Sequence, residues 1–347
     1  MRIFRSIALL IVLSQFSCDH IEKEKLTIKI QAFDLDLHNN LRGLSLAGDS
    51  VIWISGVNGV FITSNNRGKS WKIDSIGGAQ HLDFRSVKTF DDKTAILVSA
   101  GTPARVYKTI DGGKSWTITW SSVDPAVFLD GVYFWDKNHG LIMGDPVNGH
   151  LFILKTSNGG EKWIRIPPQI IPESLPSEGG FAASGTCIVG DGKQNAWLGT
   201  GGDSARVYRT LNRGKIWSVS NTPILCGGQM KGIYSLSFKN ATDGIAVGGE
   251  WNIAEPMKSK AYTNDGGRTW TLGRGTDSYC SGSAYLKNDI YLACGQSGID
   301  ITYDGGKTWE KINDLHLYGM AFFPDGVTGF GTGPGGRIVK LVLGDAK

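Results

Sequence analysis

Apolar residues in this chain come in short runs rich in β-branched and aromatic side chains, and each run stops at glycine or a polar cluster. Seven runs share one form, a variable residue, a small one and then a β-forming stretch. They are RGLSL (42–46), RSVKTF (85–90), DGVYFW (130–135), SGTCIV (184–189), YSLSF (234–238), SGSAYL (281–286) and YGMAFF (318–323). A polar turn and a second apolar run ending in glycine follow each, at 51–56, 94–101, 140–144, 195–199, 244–248, 290–295 and 326–331. A third run leads into a tryptophan-bearing turn and a fourth leads out. Runs of this length, bounded by turn residues, predict strands. Their regular recurrence predicts a repeat architecture.

The tryptophan-bearing turn reads hydroxyl or small polar residue, spacer, Asp or Asn, spacer, Gly, two residues, Trp. Its six copies are SNNRGKSW (64–71), TIDGGKSW (109–116), TSNGGEKW (156–163), TLNRGKIW (210–217), TNDGGRTW (263–270) and TYDGGKTW (302–309). The central carboxylate or amide accepts hydrogen bonds from turn amides, and the glycine supplies a positive φ. The tryptophan buries a large ring against a neighbouring unit. This pattern resembles the Asp-box of BNR repeats. Asn66, Asn158 and Asn212 replace the usual Asp, which keeps the acceptor and loses only charge.

Seven first strands against six boxes locate a seam. RIVKLVL (337–343) is a third strand with no fourth behind it, whereas KLTIKIQAF (25–33) is strand-like and precedes the first unit. Pairing the two closes the ring and protects two sheet edges. The expected fold is all-β, a seven-bladed β-propeller over 26–343 with box turns, its ring closed by an N-terminal strand completing the last blade. Blades are expected to start near residues 41, 84, 129, 183, 233, 280 and 317.

Composition fits this reading. Glycine is 48 of 347 residues, about twice the usual share of roughly 7%, without a collagen-like triplet period. Arg2 and Arg5 precede a short apolar stretch at 7–13, and small Ser17 precedes Cys18. This pattern predicts an export signal over 1–17, too short to span a bilayer as a helix. Cys18 resembles a lipobox cysteine, despite Gln15 where Leu is preferred, with a charged tether over 18–25. The expected location is the cell envelope, on the periplasmic or surface side, with simple secretion as the alternative. The net charge of +4 falls to +2 without the two leader arginines, which gives no case for nucleic acid.

The remaining cysteines, Cys187, Cys226, Cys280 and Cys294, form no Cys-x-x-Cys pair, so no zinc or redox motif is indicated. Cys226 and Cys280 fall on mouth-side loops of adjacent blades, where a disulfide is conceivable in an exported protein. No cofactor is expected: the six histidines lack metal spacing, and GTGPGG (331–336) precedes a strand, not a helix.

In a propeller the first strands line the channel, and their starts open opposite the boxes. The expected ring at that mouth is Arg42, Arg85, Asp130, Ser184, Tyr234, Ser281 and Tyr318. Neighbouring loops add Asp145, Asp203, Glu250 and Tyr279, and the long connection after Pro167 brings Glu178. Arg42 and Arg85 are placed to hold a carboxylate or phosphate; alternatively Arg85 pairs with Asp130 and seals the channel. Glu178 and Glu250 read equally as solvated loop charges. Sialidases carry such boxes, but their arginine triad is missing here. A glycoside hydrolase using two of Asp130, Asp145, Glu178 and Glu250 is the catalytic alternative.

The full run of units resembles the photosystem II stability/assembly factor-like proteins of bacteria. The residues carrying the match are LDFRS (82–86), FLD and FWD (128–130, 134–136), GDP (144–146), EGGFAASGTC (178–187) and GIAVGGE (244–250). Cys280 stands after Tyr279 where that family usually has arginine. The resemblance implies a protein-binding propeller; together with the export leader, the closed ring and the lack of a catalytic set, the expectation is a non-catalytic, membrane-anchored propeller that meets a protein partner or an anionic ligand at its mouth.

Overall fold

The computed structural model describes residues 25–253 and 255–345. The leader, Cys18 and all but the end of the tether lie outside the described residues. Seven antiparallel sheets follow one another along the chain, and in the first six the main strands run in sequence order outward from the axis. Blades 1 to 6 occupy 41–75, 83–122, 129–165, 188–221, 228–272 and 282–313; blade 7 combines 319–345 with 26–33. The strand Leu26–Phe33 pairs with Ile338–Asp345 from Leu26 opposite Asp345 to Phe33 opposite Ile338. The ring therefore closes where the missing box said it would.

Each box folds by the same bonds. Thr109 Oγ1 accepts the Gly113 N–H at 3.0 Å, and Asp111 Oδ1 accepts the Ser115 N–H at 2.9 Å. Asn66 makes the equivalent bond to the Ser70 N–H at 3.0 Å, so Asn serves as Asp does. Gly113 has φ +82°, and a Cβ there would lie 2.6 Å from the Phe61 ring of the preceding blade. Glycine is thus required twice over, for handedness and for close approach. Trp116 then packs edge-on against Phe61 at 5.2 Å and Trp53 at 6.0 Å, both in blade 1. Trp71 packs likewise on Phe330 of blade 7 at 5.9 Å. Each such aromatic pair adds roughly 0.5–1.5 kcal/mol beyond the area it buries, so the boxes stitch blade to blade.

Blade 4 departs from the pattern. Its first strand, expected at 184–189, is reduced to Ile188–Gly190. The residues before it leave the sheet and plug the mouth end of the axis, touching nearly every other blade. Ala183 O accepts from Arg42 of blade 1 at 3.4 Å, and Ser184 Oγ donates to Ser281 O beside blade 6 at 2.8 Å. A Cβ on Gly319 of blade 7 would sit 3.0 Å from Ser184 Cβ. Phe181 stacks on Tyr234 of blade 5 at 4.0 Å. The run GGFAASG provides the small side chains and the positive φ at Gly185 that such threading needs. Below it, a hydroxyl chain from Ser184 through Thr186 and Ser235 to Ser283 links the inner strands at 2.6, 2.7 and 2.8 Å.

Candidate binding site at the channel mouth

The plug converts the channel mouth into a blind pocket of about 610 Å³. Its floor is Gly180 to Ala183, and Arg42, Arg85, Asp145, Tyr234, Tyr279 and Tyr318 of the expected set stand in its walls. Asp145 arrives there through a bulge, since the pairing register shifts between Gly144 and Pro146 within the strand Gly140–Val147. Such a bulge re-aims a side chain that regular alternation would place elsewhere.

The two arginines differ. Arg85 Nε donates to Asp83 Oδ2 at 2.6 Å. The alternative Arg85–Asp130 pair is therefore not formed: Asp83, two residues away on the same face of the strand, holds the guanidinium instead. Arg42 has no carboxylate partner among the described residues; it lies over the Tyr318 ring at 4.3 Å and donates to Ala183 O. Burial and then the neighbouring Arg85 pull its pKa below the usual arginine range. A cation held in that state gains from an incoming anion. His316 meets the Tyr318 ring edge-on at 5.4 Å, and burial, then Arg337 and Arg42, lower its pKa below the usual histidine value.

Several expected mouth residues belong elsewhere. Asp130 is 1% exposed, and neither carboxylate oxygen has a hydrogen-bond partner among the described residues. It lies directly under the plug, where a Cβ on Gly180 would come 2.4 Å from Oδ2. Burial, then Asp145, drives its pKa well above the usual carboxylate range. Asp145 is also raised by burial, although the Gly180 N–H donates to its Oδ1 at 2.8 Å. Glu178 is buried in an ion pair with Arg206 and accepts from Tyr208 Oη at 3.0 Å and the Leu175 N–H at 2.9 Å. It clamps the base of the plug and is neither a solvated loop charge nor a mouth residue. Glu250 sits 3.6 Å from Lys231, outside the pocket wall. Ser184 and Ser281 are buried in the axial network, and Asp203 is exposed, away from the pocket.

Asp145 is consequently the one carboxylate in the described pocket wall, so the two-carboxylate glycosidase pair is not assembled there. The Cys226–Cys280 disulfide is not formed either. Cys280 is buried at the seam of blades 5 and 6 beside the Lys260–Asp300 ion pair, whereas Cys226 is exposed on its loop, and both are free.

Sequence reasoning missed His316, Phe128, Phe181, Met230 and Trp251 in the pocket wall. His316 was findable, since it precedes Tyr318 by one outward-facing step. Trp251 follows Glu250 on a long connection whose path no periodicity dictates.

No family model matches the chain. The photosystem II stability/assembly factor HCF136 of Arabidopsis thaliana, chloroplastic, is 25% identical over 70% of this chain and 72% of that protein. The chain resembles that assembly factor. Among solved structures, YCF48 bound to a D1 peptide superposes with a TM-score of 0.65 at 16% identity, covering 90% of this chain and 96% of that one. YCF48 from Cyanidioschyzon merolae gives 0.64 at 16% identity over 90% and 98%. At that identity the structural likeness speaks for the fold, a seven-bladed propeller.

Proposed function

We propose that this chain is a non-catalytic partner-binding propeller that assists assembly of an envelope complex, exported and held at a membrane through Cys18. The observation that carries the reading is Arg42, desolvated and without a carboxylate partner among the described residues, beside Arg85 in an aromatic, blind pocket. That chemistry suits an extended peptide with a carboxylate, whose charge the guanidiniums take while its apolar groups meet the tyrosines. The likeness to an assembly factor, and to a propeller described with a bound peptide, supports the same reading.

Affinity capture from detergent-solubilised membranes tests it. The intact chain is expected to enrich a protein partner, and Arg42→Ala and Arg85→Ala each to cut recovery about tenfold or more, as loss of a charge-assisted hydrogen bond implies. Recovery indifferent to both arginines sinks the pocket as the partner site. Turnover of a glycan panel that Asp145→Asn abolishes would replace the binding reading with a catalytic one.

A further inference from the structure

The boxes mark the face opposite the pocket, and the closing strand begins on it. Leu26 pairs with Asp345 at the box end of blade 7, and its N–H donates to Tyr303 Oη, within the sixth box, at 2.8 Å. The chain therefore reaches the propeller from the box side. Seven residue steps lead from Cys18 to Lys25, and they span at most about 25 Å fully extended. An anchor at Cys18 places a bilayer against the box face, not the mouth.

That face carries a site the boxes do not explain. Two adjoining hollows of about 540 and 510 Å³, at the seam of blades 3 and 4, share Lys155, Ser157 and Lys215. Lys162, Arg165 and Arg213 complete their basic walls, and among the described residues no carboxylate lines either. Arg213 is matched by Asp136 at 3.0 Å, but Lys162 and Lys215 are exposed and form no ion pair among the described residues. Lys155 donates to Arg213 O at 2.8 Å and is crowded by burial, Lys215 and Arg213. Aliphatic side chains accompany these cations: Ile164, in the wall of the larger hollow, is 63% exposed, and Ile216, next to Lys215 in the chain, is 70% exposed. Lysines interleaved with exposed isoleucines match a lipid headgroup layer, where the cations meet phosphates and the aliphatics enter the acyl boundary.

We propose that the groove between blades 3 and 4 is an anionic-phospholipid site, and that the box face lies against the membrane with the mouth pocket pointing away. The inference rests on the tethered-envelope reading above. An acidic protein segment would suit the cations, but it would not account for the tether arriving on the same face.

The test uses the full chain with Cys18→Ala, which no lipid can modify, on vesicles of phosphatidylglycerol with phosphatidylcholine or of phosphatidylcholine alone. Hydrogen exchange of 157–165 and 210–217 is the readout, because the apolar leader serves both vesicle types alike. Exchange there is expected to slow about fivefold or more on anionic vesicles only. Lys162→Glu with Lys215→Glu should abolish the slowing, since each cation at such a surface is worth roughly a fivefold factor in binding. Lys162→Gln with Lys215→Gln, a milder surface change, should reduce it partway, with melting temperature unchanged in both variants. Unchanged exchange on anionic vesicles, slowing at mouth loops instead, or the same slowing with inorganic phosphate or an acidic peptide in place of vesicles would each overturn the proposal. The tether is read separately, from the mass of wild-type protein extracted from membranes. An unlipidated chain with a protected groove would sink the anchor and keep the lipid site.

Discussion

At the scale of single residues, Asp130 is the most consequential side chain outside the pocket. Both of its oxygens are buried without a partner among the described residues, and its pKa lies well above the usual carboxylate range, first through burial and then through Asp145. Between its unfolded and folded pKa values the folded chain binds more protons than the unfolded one. Stability from this group is therefore fully present below about pH 4 and is lost as pH rises toward the folded value. Asp130→Asn removes the titration while keeping the shape. The variant is expected to be more stable than the parent at pH 8 by about 1–3 kcal/mol, the cost of an unpaired buried polar charge. The gain should vanish on acidification toward pH 4. Paired denaturant melts at the two values check this, and a variant less stable at pH 8 would show that the carboxylate has a partner. The sequence placed Asp130 correctly on the first strand of blade 3. It could not show the plug that seals it, because that depends on Gly180 closing over it from the next blade.

At the scale of elements, the plug is what makes the site. Glu178 fixes its base through Arg206, Tyr208 and the Leu175 N–H, while Asp145 holds the Gly180 N–H. Removing the Glu178 charge strands Arg206, whose side chain is only 10% exposed. Glu178→Gln is expected to cost about 3–5 kcal/mol, the usual penalty for breaking a buried pair on one side. Glu178→Gln with Arg206→Met, which removes both charges, should recover much of that loss. The double variant separates clamp from catalyst: a general acid would not regain activity by losing its partner. Strands and boxes were legible because their signals are local, periodic and repeated. The plug was legible only as the sequence EGGFAASGTC, since small residues permit a chain to enter an axis without saying that it does. For the same reason Glu178, assigned to the mouth by the length of its loop, proved to be a clamp.

At the scale of the whole molecule, counting did what local signals could not. Seven first strands and six boxes required a missing strand, and the pairing of Leu26–Phe33 with Ile338–Asp345 is that strand. Alternation along it divides its work. Leu26, Ile28 and Ile30 pack on the core of blades 6 and 7, whereas Thr27, Lys29 and Gln31 are exposed. A closed ring makes this seam as important as any other, since opening it exposes the edge of Ile338–Asp345 to pairing with other chains. Ile28→Asp puts a charge on the half-buried face and should lower stability by about 2 kcal/mol. Lys29→Asp changes the exposed face and should stay within about 0.5 kcal/mol. Denaturant midpoints give the energies, and light scattering at moderate temperature reports the open edge. Scattering should rise for Ile28→Asp and fall again when a peptide of residues 25–33 is added to fill the seam. Equal effects of the two substitutions would mean that the strand lies on the ring without closing it.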